Sequence, residues 1–224
     1  MTSLAFDVYG TLIDTAGVTG RLKEIVGERA SEFSSHWRSK QLEYTWRYGL
    51  MRQYRDFRTC TRQALDWTCD ALGFQIKEQD RLDLMQAYLE LPPFHDVIDG
   101  LNQLRSMDVA MYAFSNGVPE DLDRLLDRAG LKPLLDGIVS FDELKNFKPD
   151  PSLYHNFAKR SGDDIKACCL VSSNGFDVCG AVSAGMRAFW LQRDPSIQFD
   201  HWEFQPTWTV SGFEHIIGIL EKSV

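Results

Sequence analysis

A chain of 224 residues can bury one substantial core, or one core with a small accessory unit, and its 44% hydrophobic and 25% charged residues are ordinary for a globular protein. A net charge of −8 argues against nucleic-acid binding, although a local pocket on an acidic protein can still hold a small anion. No apolar run approaches the length of a membrane span. Leu4-Ala5-Phe6-Asp7-Val8 lacks the basic start and long apolar stretch of a secretory leader. Cys60, Cys69, Cys168, Cys169 and Cys179 include no C-x-x-C pair, so buried free thiols in a reducing cytoplasm are expected.

In chain order, residues 4–8 form a short apolar run holding an acid and followed by Gly10, which predicts a buried strand with polar groups at its C-terminal end. From about residue 16 to 91 the texture changes to Arg, Glu, Gln, Trp and Tyr without proline. Leu65, Cys69 and Leu72, and then Leu82, Met85 and Leu89, recur at helical intervals. Three or four amphipathic helices are expected there, closed by Pro92-Pro93. The expected division is therefore a core of residues 1–15 and 92–224 with a helical cap at 16–91.

Strands and helices then alternate. Ile98, Leu101 and Leu104 mark a helix, and Val109 to Phe114 a strand ending at Ser115-Asn116-Gly117. Leu122, Leu125, Leu126 and Ala129 mark a helix stopped by Gly130. A short strand is expected at Ile138-Val139 and a helix after Pro151, then a strand from Cys168 to Val171 ending at Ser172-Ser173-Asn174-Gly175. A helix through Val178 and Ala181, a strand from Ala188 to Leu191, an edge strand from Thr207 to Val210 and a closing helix through Phe213, Ile216, Ile217 and Leu220 complete the chain. This alternation predicts an α/β fold with a mostly parallel, doubly wound, Rossmann-like sheet. Such sheets bind ligands beyond the C-terminal ends of their strands. Asp7, Ser115-Asn116 and Ser172-Ser173-Asn174 all fall there.

Four ordered segments carry a resemblance: Asp7-Val8-Tyr9-Gly10-Thr11, Ser115-Asn116-Gly117, Lys148-Pro149-Asp150, and Ser172-Ser173-Asn174-Gly175-Phe176-Asp177. They resemble the motifs of the haloacid dehalogenase superfamily, over the whole chain. Most members with this pattern are magnesium-dependent phosphohydrolases, with a second acid two residues after the nucleophile and another in the fourth motif. Here those positions are Tyr9 and Ser173. Both changes match the L-2-haloacid dehalogenase branch, as does the segment from Trp37 to Trp46, with Ser39 departing from an expected Gln. A phosphohydrolase acting on a small phosphomonoester is the alternative enzyme, and a noncatalytic binding protein the alternative outside enzymes.

The resemblance implies hydrolytic removal of halogen from an (S)-2-haloacid or a haloacetate, with inversion, through an ester on Asp7 and with no metal or cofactor. The implied partners are a small haloacid anion and the released halide, and a homodimer is expected. Lys148 would keep Asp7 ionised. Thr11, Ser115, Ser172 and Asn174 would donate to carboxylate oxygens of Asp7 or substrate, though such residues also serve as caps and turns. Asp177 would orient or deprotonate water or position Lys148, or simply favour a helix N-terminus. Tyr154 resembles a tyrosine beside the substrate carboxylate, with a buried aromatic as the competing reading. Arg38 would stabilise the leaving halide or steer the carboxylate, with Asn116 and Phe176 flanking the halide. Tyr9, Leu42 and Phe57 would wall the pocket, Gly10 would complete the binding turn, and core packing is their ordinary fate. His36, His95, His155, His201 and His215 are scattered outside the motifs, and the six tryptophans are expected in packing.

Overall fold

The computed structural model describes residues 3–222. Strand β1 (Ser3–Asp7) is buried along its whole length, as a central strand covered on both faces must be. Five helices precede the next strand, and the first four form the insertion: α1 (Gly17–Val26), α2 (Ala30–Met51), α3 (Phe57–Leu72) and α4 (Glu78–Ala87). Local chemistry sets their ends. The carboxylate of Asp56 accepts from Thr59 N at 2.6 Å to start α3, and Gly73, at φ 75°, ends it in a left-handed conformation.

The chain returns through α5 (Val97–Arg105), β2 (Ala110–Ser115), α6 (Pro119–Arg128), β3 (Gly137–Ser140), α7 (Pro151–Ser161), β4 (Cys168–Ser172), α8 (Gly175–Ser183), β5 (Arg187–Leu191), β6 (Trp208–Val210) and α9 (Phe213–Glu221). Pro at the first helical position opens both α6 and α7, where its missing N–H costs nothing. The six strands lie in the order β3-β2-β1-β4-β5-β6, every pairing parallel. The order reverses between β1 and β4, so the crevice of a doubly wound sheet opens where these two strands end. Those ends carry Asp7 and Ser172.

One apolar cluster runs from the sheet, through Leu4 and Phe6, into the inserted helices at Phe33, Trp37 and Leu65. Phe114, Phe141, Tyr154 and Phe157 belong to a second cluster on the opposite side. Three expectations about packing need correction. Leu84 rather than Leu82 is the buried leucine of α4, and Val97 rather than Ile98 faces inward on α5. Both helices are short, so a phase error of one or two residues leaves a plausible apolar stripe. Trp46, Trp67 and Trp202 are exposed rather than packed in the core. Trp67 instead offers its face to the Lys40 ammonium, 3.9 Å from the ring centre. All five cysteines are free and buried. Among the described residues no helix is long and apolar enough to cross a membrane.

Candidate active site

Asp7 ends β1, and the chain then turns sharply at Gly10, whose φ of 85° suits glycine. That turn returns Thr11 toward the strand end. Its hydroxyl donates to Asp7 Oδ2 at 2.9 Å and accepts from Ser173 N at 2.9 Å, joining the first motif to the fourth. Ser172 Oγ, at 3.1 Å, and Asn174 Nδ2, at 2.6 Å, donate to the same Oδ2. Asn174 also donates to the Tyr9 carbonyl at 3.1 Å. The other oxygen, Oδ1, receives the Lys148 ammonium at 3.0 Å. Burial raises the Asp7 pKa, but Lys148, Asn174 and Thr11 together outweigh it and hold the carboxyl below its ordinary range.

Lys148 is buried and saturated. Besides Asp7 it donates to the Phe114 carbonyl at 2.7 Å and to Asp177 Oδ2 at 2.7 Å. Its backbone N–H donates to Asn116 Oδ1 at 3.0 Å, so the second motif fixes the third. Asp177, in the first turn of α8, has no exposed surface. Burial and the nearby Asp7 push its pKa up to about 6 against the pull of Lys148. Tyr154 donates to Asp177 Oδ1 at 2.8 Å. Gly180 permits this approach, because a Cβ there would run into the Tyr154 hydroxyl and Pro149.

The structure therefore gathers Asp7, Thr11, Lys148, Ser172, Asn174 and Asp177 into one network, with Asn116 and Tyr154 attached. For two residues with alternative readings it shows the structural one. Tyr154 is wholly buried, with its ring on Phe114 of β2 (centroids 5.5 Å apart) and its hydroxyl on Asp177, which is the buried-aromatic reading. Ser115 Oγ accepts from Gly117 N at 3.1 Å, the turn role also expected of it, and makes no hydrogen bond to Asp7.

On the insertion side, the Tyr9 ring packs against Phe57 (centroids 5.5 Å apart) and Tyr88 (6.3 Å). Arg38 is close enough to act electrostatically on both tyrosines. Sequence reasoning missed what holds it. Arg38 Nη1 donates to Gln41 Oε1 at 2.7 Å, Gln41 Nε2 to Thr61 Oγ1 at 2.6 Å, and Thr61 Oγ1 to the Phe57 carbonyl at 2.7 Å. The one available signal was spacing, since Gln41 lies three residues after Arg38 on the same helical face. Leu42 is half-buried, and Phe176 sets its ring edge-on to Trp46 of α2, centroids 5.4 Å apart.

Magnesium takes oxygen ligands in near-octahedral geometry, usually with carboxylate oxygens free to bind it. Here Asp7 Oδ2 already takes three donors, Lys148 lies between Asp7 and Asp177, and no acid stands at Tyr9 or Ser173. Among the described residues no three His, Cys, Asp or Glu side chains converge. A divalent cation does not fit this set.

A family model for haloacid dehalogenase-like hydrolases matches residues 1–185. An (S)-2-haloacid dehalogenase of Pseudomonas sp. (strain YL) is 37% identical over 220 residues, covering 98% of this chain and 94% of that protein. Haloacetate dehalogenase H-2 of Moraxella sp. (strain B) is 31% identical over 218 residues, covering 97% of each. The solved L-2-haloacid dehalogenase from Xanthobacter autotrophicus with chloropropionic acid covalently bound matches at a TM-score of 0.90 and 29% identity, over 100% of both chains.

Proposed function

The chain belongs to the haloacid dehalogenase-like hydrolases, and on that premise we propose that it is an (S)-2-haloacid dehalogenase, a hydrolase of carbon–halide bonds that also takes haloacetates. The observation that carries the reading is the unequal environment of the two Asp7 oxygens. Oδ2 is held by Thr11, Ser172 and Asn174, while Oδ1 has Lys148 alone. Oδ1 thus keeps lone-pair density for attack on the halogen-bearing carbon. The new C–O bond forms as the carbon–halogen bond breaks, the halide leaves with its electron pair, and the carbon inverts from (S) to (R).

Arg38 and Asn116 are the proposed halide partners, with Phe176 beside them. Asn116 commits its carbonyl oxygen to Lys148, so any bond to halide comes from its amide NH2. Tyr9, Gly10, Leu42 and Phe57 form the proposed substrate wall, where excluding water strengthens each charge interaction. In the second half-reaction water adds to the ester carbonyl carbon. Oδ2 becomes the oxyanion inside its ready three-donor cradle. Collapse breaks the bond from the carbonyl carbon to Oδ1, so the product leaves with Oδ1 as its hydroxyl oxygen, and one proton is released per turnover. The buried position of Asp177 and Tyr154 supports their roles in holding Lys148 rather than in touching substrate.

The test is one turnover in heavy-oxygen water with enzyme in excess of L-2-chloropropionate. Label on the peptide containing Asp7, with unlabelled hydroxyl in the product, is expected. Label appearing first in product would mean direct displacement by water and would remove the ester from the mechanism.

A further inference from the structure

The chain crosses between the sheet and the inserted helices twice, and the two crossings run side by side. Asp14 N donates to the Pro92 carbonyl at 2.9 Å, Phe94 N to the Leu12 carbonyl at 3.1 Å, and Ile13 and Pro93 form an antiparallel bridge. Arg193, two residues beyond β5, reaches both crossings. Its Nη2 donates to the Thr11 carbonyl at 2.8 Å on the outgoing crossing. On the returning side its Nη1 pairs with Asp96 Oδ1 at 2.9 Å, and its guanidinium carbon lies 3.9 Å from the centre of the Phe94 ring. Asp96 is itself tethered by Phe213 N at 3.2 Å, at the start of α9.

The Arg193 side chain is only 14% exposed, and its Nε is buried without a hydrogen-bond partner. Burying a cation with an unmet N–H is unfavourable. Only a planar guanidinium reaches a carbonyl, a carboxylate and a ring face together from one position, and a lysine cannot. The carbonyl it holds belongs to Thr11, whose hydroxyl both donates to Asp7 Oδ2 and accepts from Ser173 N.

We propose that Arg193 is a positioning residue for dehalogenation. It fixes Thr11 and the returning crossing to one rigid group, and so keeps the Thr11 hydroxyl aimed at Asp7 Oδ2 whatever the inserted helices do. The consequence falls on ester hydrolysis, where Oδ2 carries the developing charge, more than on ester formation, where Oδ1 reacts. This inference rests on the covalent reading of the site.

The experiment compares wild type, Arg193→Lys, Thr11→Val and the double variant, each as the full chain with L-2-chloropropionate. Halide release is followed in the steady state, and the Asp7 ester is quantified by mass spectrometry after acid quench. For Arg193→Lys, kcat is expected to fall by about tenfold to about a hundredfold, with KM shifted far less and a larger fraction of enzyme trapped as ester. The double variant should be no slower than Thr11→Val alone, because both act through one hydroxyl. Asp96→Asn, which keeps an acceptor oxygen but loosens the guanidinium, should show a smaller loss with the same ester accumulation, and it decides the matter if Arg193→Lys fails to fold. Unchanged ester levels in these variants, or additive losses in the double variant, would overturn the inference and leave Arg193 a structural residue. Absence of ester in wild type would instead overturn the covalent reading itself.

Discussion

Lys148 lies between two carboxyls held in different protonation ranges. Asp7 is held below its ordinary range by Lys148 and its hydroxyl and amide donors, whereas Asp177, with no exposed surface and the Asp7 charge nearby, is pushed up to about 6. Protonating Asp177 leaves Asp7 as the one carboxylate on the Lys148 ammonium, beside the Phe114 carbonyl, and this draws charge from the nucleophile. We therefore expect kcat to fall on the acid side with a midpoint near 6, and Asp177→Asn to be slow and to lack that limb in a pH–rate profile. Stability should follow the same groups in opposite directions. A carboxyl whose folded pKa is raised from 3.8 to about 6 stabilises the fold fully below its unfolded value and loses that contribution as pH rises through 6. Asp7, lowered, contributes above 3.8 and loses its contribution as pH falls further. Urea denaturation between pH 4 and 6 should show the decline in wild type and a flatter profile in Asp177→Asn; identical slopes would refute the assignment. Asp7 was legible from its place at a strand end, and Lys148 and Asp177 from the resemblance of their motifs to the family's. Their partners were not, as Tyr154 shows: it belongs to Asp177 only because α7 and α8 pack side by side.

Helices α2 and α3 act as one unit through the relay from Arg38 to Gln41 to Thr61. Trp37 reinforces it by donating to the Thr61 carbonyl at 2.8 Å. Arg38→Lys keeps the charge but loses the planar fork, so severe loss of turnover is expected with an unchanged circular dichroism spectrum. Near-normal turnover would take Arg38 out of the site. Gln41→Leu should lower kcat/KM in the same direction as Arg38→Lys, though less. It should cost about 1–3 kcal/mol of stability if the Thr61 hydroxyl is left short of a partner; a variant with wild-type kcat/KM would show that Arg38 needs no such support. Gln41 escaped notice because a glutamine in an amphipathic helix reads as solvated surface. Its burial follows from the pairing of α2 with α3, which no one-helix pattern encodes.

For the molecule as a whole, the donor set around Asp7 leaves no place for a divalent cation, so halide release from L-2-chloropropionate or a monohaloacetate should survive EDTA undiminished. Activity lost with EDTA and restored by magnesium, or phosphate release without halide release, would point to phosphohydrolase chemistry instead. The sequence by itself determined the alternation of strands and helices, the helical insertion after β1 and the polar residues that end β1, β2 and β4. It could do so because side-chain period, turn residues and motif order are local properties of the chain. Only the tertiary structure decided that Oδ2 of Asp7 takes three donors and Oδ1 one, that Tyr154 lies behind Asp177, that Ser115 holds its own turn, and that Arg193 reaches Thr11 from far along the chain. Those facts depend on which strands lie side by side and on how helices stack across them. Hydrogen bonds form between atoms that packing brings within about 3 Å, whatever their separation in sequence.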